Sequence, residues 1–193
     1  MTRAGNPPLL PPIERSTSVS WNQEEAFRRF TADFATWWPH STHSIGGSRV
    51  ARIVFECRVG GRIFEELKDG RRWQWGKVTA WDPPRQVAFT WHPSKDESDA
   101  QDVAVSFVKE KQGTRVVLVS SGWEKLGAGA SRERKGYSVG WGSILETFAG
   151  RRTAVVMVFA ILSHTITFFL KVTGRLDAEI EKAGGRMPPV SAT

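Results

Sequence analysis

The chain has 193 residues, enough for one domain with a sizeable core. Its formal charge is +7, yet residues 13–150 hold 20 basic against 17 acidic residues, and the pairs Arg28/Arg29, Arg71/Arg72 and Arg132/Arg134 form no single stripe, so no nucleic-acid partner is expected. Cys57 stands alone, which excludes a disulfide framework and points to a reducing, cytoplasmic setting.

Residues 1–12 are proline-rich (Asn6-Pro7-Pro8-Leu9-Leu10-Pro11-Pro12), carry no apolar leader, and read as a flexible arm. Ile13 to Ser20 alternates and predicts a strand. Asn22 caps a helix, with Glu25 three residues on in a variant of the capping box. Phe27, Phe30, Phe34 and Trp37 follow at helical spacing on one face, and Pro39 ends the run. Arg49–Arg58 and Arg62–Leu67 are β-rich and flank the turn at Gly60-Gly61. Arg72 to Trp91 holds four tryptophans in two strand-like runs, with Asp82-Pro83-Pro84 reversing the chain between them. Gln101–Glu110 alternates, Gly113 turns, and Thr114–Trp123 is the last strand. From Ser131 the pattern is helical, with Tyr137, Trp141, Ile144, Leu145 and Phe148 on one stripe; Gly136, Gly140 and Gly142 in that helix suggest a close approach by backbone or ligand.

The order strand, helix, about six antiparallel strands, long helix predicts an α+β fold. A curved antiparallel sheet would wrap a long C-terminal helix, leaving space for a cavity between them. Phe34-Ala-Thr-Trp37-Trp38-Pro39, Val59-Gly-Gly-Arg62, Trp75-Gly-Lys-Val78, Trp81-Asp-Pro-Pro84, Phe89-Thr-Trp91 and Gly113-Thr-Arg-Val116 carry a more specific signal. In that order and spacing they resemble the START-like (SRPBCC) superfamily, and within it bacterial proteins related to the C-terminal domain of the activator of Hsp90 ATPase. The resemblance covers 13–150. It implies the helix-grip fold and an apolar cavity for a small hydrophobic ligand.

Pairing the Trp-rich hairpin across Pro83-Pro84 sets Val78 against Phe89 and Gly76 against Trp91, with Val87, Phe89 and Trp91 on one face. Trp73, Trp75 and Trp81 then fall on the other, unless a bulge swaps the faces. The expected cavity lining is Trp37, Trp38, Phe55, Phe64, Val78, Phe89, Trp91, Trp123, Trp141 and Leu145, with packing under the last helix as the plainer account of the same residues. Glu65, Glu66 and His92 are the strand-borne acid–base candidates; a solvent-facing carboxylate is the plainer account of each glutamate, and no catalytic residue is assigned. His40 and His43 would need His92 to complete three ligands and have no cysteine or carboxylate beside them, so no metal or cofactor is expected. Cys57, alternating with Phe55 and Ile53, reads as a buried thiol.

Thr153–Leu170 is uncharged and reaches the length of a membrane span. Residues 151–193 are therefore expected to form an apolar helix and a polar end. That helix would associate with a membrane through 153–172 and anchor a cytoplasmic protein, or else pack on protein. The functional expectation is non-enzymatic binding of a small apolar molecule. The alternatives are a co-chaperone that activates an Hsp90-type ATPase, and a polyketide cyclase or hydratase using Glu65 or His92.

Overall fold

The computed structural model describes residues 10–93 and 95–151. Strand β1 (Ile13–Val19) leads into α1 (Gln23–Thr31) and two single-turn helices, α2 (Phe34–Trp37) and α3 (His40–His43). Six strands follow: β2 (Val50–Phe55), β3 (Arg62–Leu67), β4 (Arg72–Asp82), β5 (Gln86–Trp91), β6 (Gln101–Glu110) and β7 (Gly113–Ser121). A 3-10 segment (Trp123–Gly129) then enters α4 (Ala130–Phe148). The seven strands make one antiparallel sheet in the order β1-β7-β6-β5-β4-β3-β2. It curls into a half-barrel around α4, the helix-grip architecture that the resemblance implies.

Helix α1 begins as the sequence predicts, with Asn22 Oδ1 accepting from the Glu25 amide at 2.8 Å. Glu25 does not reach back to close the box. Its carboxylate turns to Arg28 and Arg29 and is held down to about 2 by them. The aromatic face predicted as one helix is split, because α1 stops at Thr31 and the chain restarts at Phe34. The break turns Phe27 onto Trp81 and Phe107, and Phe34 onto Trp38 and Phe55.

Strand β4 departs most from simple alternation. Opposite β3, Ile63 pairs with Gly76 and Phe64 with Gln74, leaving Trp75 as an extra residue. Opposite β5, Val78 pairs with Phe89 and Ala80 with Ala88, leaving Thr79 extra. Each bulge flips the parity of the residues beyond it. Two of them place Trp75, Val78 and Trp81, three residues apart, on the same concave face as Val87, Phe89 and Trp91, while Trp73 is buried beside them in a smaller cluster with Leu67. Gly76 permits this, since a Cβ there would lie 1.8 Å from the Thr90 carbonyl oxygen.

The inner face is closed by α4, which contributes Trp141, Ile144, Leu145 and Phe148. A Cβ at Gly142 would lie 3.6 Å from Arg15 Nε. A Cβ at Gly136 or Gly140 would meet no described atom of another element within 4 Å, so no backbone approach is seen there. The arm's last residues are held, with Arg134 Nε donating to the Pro11 carbonyl at 2.6 Å and Nη2 to that of Pro12 at 3.1 Å. Cys57 is exposed rather than buried, because β2 ends at Phe55.

The membrane expectation is corrected. Among the described residues no helix is long and apolar enough to cross a membrane. Helix α4 carries Arg132, Glu133, Arg134, Lys135 and Glu146 along its length. The association through 153–172, and the anchoring of a cytoplasmic protein by that helix, are withdrawn; the run itself lies outside the described residues.

Candidate ligand site between the sheet and the last helix

Four tryptophans from four parts of the chain meet on the concave face. Trp38 follows α2, Trp75 sits at the β4 bulge, Trp91 ends β5, and Trp141 comes from α4. Ring centroids lie 5.4 Å apart for Trp38–Trp75, 5.5 Å for Trp38–Trp91, 5.6 Å for Trp75–Trp91 and 5.3 Å for Trp91–Trp141. Phe34 stacks on Trp38 at 4.8 Å, while Phe55 and Phe89 extend the patch towards β2. Such edge and offset contacts add about 0.5–1.5 kcal/mol each beyond burial.

The cluster is apolar in its rings but not in its polar atoms. Among the described residues, Trp75 Nε1, Trp141 Nε1, His92 Nε2, Gln101 Oε1, Ser120 Oγ and Ser143 Oγ are buried with no hydrogen-bond partner. A buried polar group left unpaired costs about 1–3 kcal/mol, so each asks for an explanation. Three other indoles are satisfied: Trp37 donates to the Arg29 carbonyl, Trp38 to that of His43 and Trp123 to that of Ser120. The two unpaired indoles are the two that touch Trp91 from β4 and from α4.

Glu65 is fully buried on the inner face, paired in register with Ile53 and Trp73. Burial pushes its carboxyl above the ordinary range, against the pull of the Ser44 hydroxyl and the Gly46 and Ile45 amides. Ser44 Oγ donates to one carboxylate oxygen and the Gly46 amide to the other at 2.6 Å. The carboxylate thereby holds the segment after α3 against β3. At the end of α3, burial lowers the His43 pKa, and its ring stands edge-on to Trp38 at 6.3 Å. Glu66 points to the other face, where Arg52 and Arg72 lower its pKa.

Of the residues expected to line a cavity, Trp38, Phe55, Phe89, Trp91 and Trp141 are brought together. Val78 and Leu145 are buried in the same core. Trp37 touches Trp38 and Phe34 and packs on its other side against Phe30 and Phe148. Trp123 packs on Tyr137 at 5.1 Å. Phe64 is on the outer face beneath the Arg62 and Arg72 guanidiniums, since β3 turns Ile63 and Glu65 inwards. Sequence reasoning missed Trp75, whose bulge Gly76 signals, and Gln101. The alternation Val103, Val105, Phe107, extended back by one step, would have put Gln101 inside.

No three His, Cys, Asp or Glu side chains gather into a metal site among the described residues. His92 Nδ1 faces the Lys95 carbonyl at 3.1 Å instead. A groove of about 520 Å³ opens beside the proline segment, lined by Leu10, Pro11, Pro12, Asp102 and Lys125 among others. It lies at the surface and includes none of the aromatic cluster.

The sequence model described as activator of Hsp90 ATPase homolog 1-like protein matches residues 20–151. The chain belongs to this family. Among solved structures, Txn09, an anthrahydroquino-γ-pyrone synthase, is 33% identical, with a TM-score of 0.52, over 74% of this chain and 97% of its own. A Bacillus halodurans protein is 20% identical with a TM-score of 0.54, over 74% of this chain and 96% of its own. A Mesorhizobium loti protein is 19% identical with a TM-score of 0.51, over 72% and 94%. The last two show the fold alone. No curated protein matches the chain. Fold and family together support a ligand-binding or related function of the SRPBCC type.

Proposed function

We propose that the protein binds a small, flat aromatic molecule between the concave face of the sheet and α4. The observation that carries this is the Trp38–Trp75–Trp91–Trp141 cluster, in which two buried indole N–H donors lack partners. Apolar rings with a few fixed polar groups are the usual lining of a small-molecule site. The rings touch one another in this structure, so a ligand takes its place by parting them. Trp38 is the ring on the least structure, between two single-turn helices. Titration of fused-ring aromatics against tryptophan fluorescence tests the proposal. Saturable quenching that is lost in Trp91→Ala supports it; no saturable response across a broad aromatic panel rejects it.

A ring-closing enzyme is the second reading, favoured by the identity to the synthase. Glu65 or His92 would be its acid–base group. In that reading Glu65→Gln or His92→Gln abolishes turnover of a polyketide-type substrate while aromatic binding persists; unchanged turnover in both dismisses it. The co-chaperone reading rests on the family description, and stimulation of an Hsp90-type ATPase is its test.

A further inference from the structure

The unpaired atoms around Trp91 differ in sign. Trp75 and Trp141 present N–H donors that nothing accepts, and both rings touch Trp91. Gln101 is the residue directly across from Trp91 on β6, and both are buried on the inner face. Side chains directly opposite in an antiparallel pair share a face and lie close together. The Gln101 amide is oriented by its own bond, Nε2 donating to the Asp99 carbonyl at 2.5 Å, so its oxygen is the unpaired end and an acceptor. His92, next in the chain, gives a second acceptor. Its Nδ1 lies 3.1 Å from the Lys95 carbonyl, a bond that requires a proton on Nδ1, so in the neutral imidazole the lone pair is on Nε2. The His92 amide in turn donates to the Trp75 carbonyl at 2.7 Å, so this residue sits against the same bulge.

A purely apolar ligand would satisfy none of these groups. One bearing only carbonyl oxygens would satisfy the indoles and leave Gln101 unpaired. We infer that the site takes an aromatic molecule carrying both a carbonyl and a free hydroxyl. The carbonyl accepts from the Trp75 or Trp141 indole, and the hydroxyl donates to Gln101 Oε1 or His92 Nε2. The inference rests on the proposed aromatic site and adds the polarity of its occupant. It follows from the cost of unmet buried donors and acceptors, which makes a site built for a hydroxyl reject the analogue lacking it.

Four naphthalenes of similar size test it on the unaltered protein: 6-hydroxy-2-acetonaphthone, its 6-methoxy ether, 2-acetonaphthone and 2-ethylnaphthalene. The hydroxyketone is expected to bind at least about tenfold more tightly than the ether and the hydrocarbon. Gln101→Leu is expected to erase the preference for hydroxyl over ether, and Trp141→Phe to weaken the ketones relative to the hydrocarbon. Equal affinity for all four overturns the polarity assignment while leaving the aromatic site in place. Binding of none overturns both. The wild-type series decides by itself, so a variant that fails to fold does not protect the inference.

Discussion

The two faces of β3 and β4 are built from neighbouring residues and obey different physics. Glu65 and Glu66 are consecutive, yet one is fully buried against Ser44 and Gly46 and the other is clamped by Arg52 and Arg72. Phe64 and Trp75 are both buried aromatics, yet Phe64 is covered by guanidiniums and Trp75 by other rings. The outer face settles its polar groups among its own side chains. The inner face satisfies Glu65 but leaves the Trp75 and Trp141 indoles and the Gln101 amide oxygen unpaired, the groups that the proposed ligand would engage.

The contrast between the faces predicts unequal costs for substitution. The largest belongs to the inner face: Trp141→Ala removes a buried ring that touches Trp91 and is expected to cost about 3–5 kcal/mol in denaturant unfolding. Gly76→Ala drives a Cβ into the Thr90 carbonyl and should cost at least about 1–3 kcal/mol, with the β4 bulge disturbed. A near-neutral result there would break the account of how Trp75 is turned inwards.

The adjacent glutamates should give opposite pH slopes. Glu65 has its folded pKa raised, so the folded state holds the proton more tightly than the unfolded one. Its contribution to stability declines as pH rises from the ordinary carboxylate value towards the raised one. Glu66 has its folded pKa lowered, so its contribution is full above the ordinary carboxylate value and is lost as pH falls through the folded one. Urea midpoints across the acidic to neutral range should therefore flatten in one direction for Glu65→Gln and in the other for Glu66→Gln. Matching slopes would contradict the assignment of the two faces. The smallest effect belongs to the outer face, where Arg52→Ala breaks an ion pair whose guanidinium is more than half exposed, and should cost no more than about 1 kcal/mol.

Much of the fold was legible in the sequence. The bounds of β3 and β6, the Asn22 cap, the Pro83-Pro84 reversal and the amphipathic stripe of α4 all follow from local chemistry. The site was legible only in part. Phe89, Trp91 and Trp141 lie where alternation and helical spacing put them, whereas the helical spacing marked Trp37 and it is Trp38, at the helix exit, that is buried. Trp75 does not lie where alternation puts it, because a bulge is set by pairing with β3 and β5, which the strand's own residues do not encode beyond the hint of Gly76. Phe64 was misleading for a related reason: residue type announces burial, but two arginines on an outer face can bury a phenylalanine as well as a core can. No described backbone approaches Gly136 or Gly140, because helical glycine weakens a helix without saying what, if anything, comes near it.

The central claim is that the two unpaired indoles on the inner face are the groups a ligand engages. The direct measurement is the ¹H–¹⁵N spectrum of the nine indole N–H groups during titration with 6-hydroxy-2-acetonaphthone. Downfield shifts are expected at Trp75 Nε1 and Trp141 Nε1, with little change at Trp37 and Trp123, whose donors are already paired. Saturable binding that leaves Trp75 and Trp141 unmoved would contradict the claim.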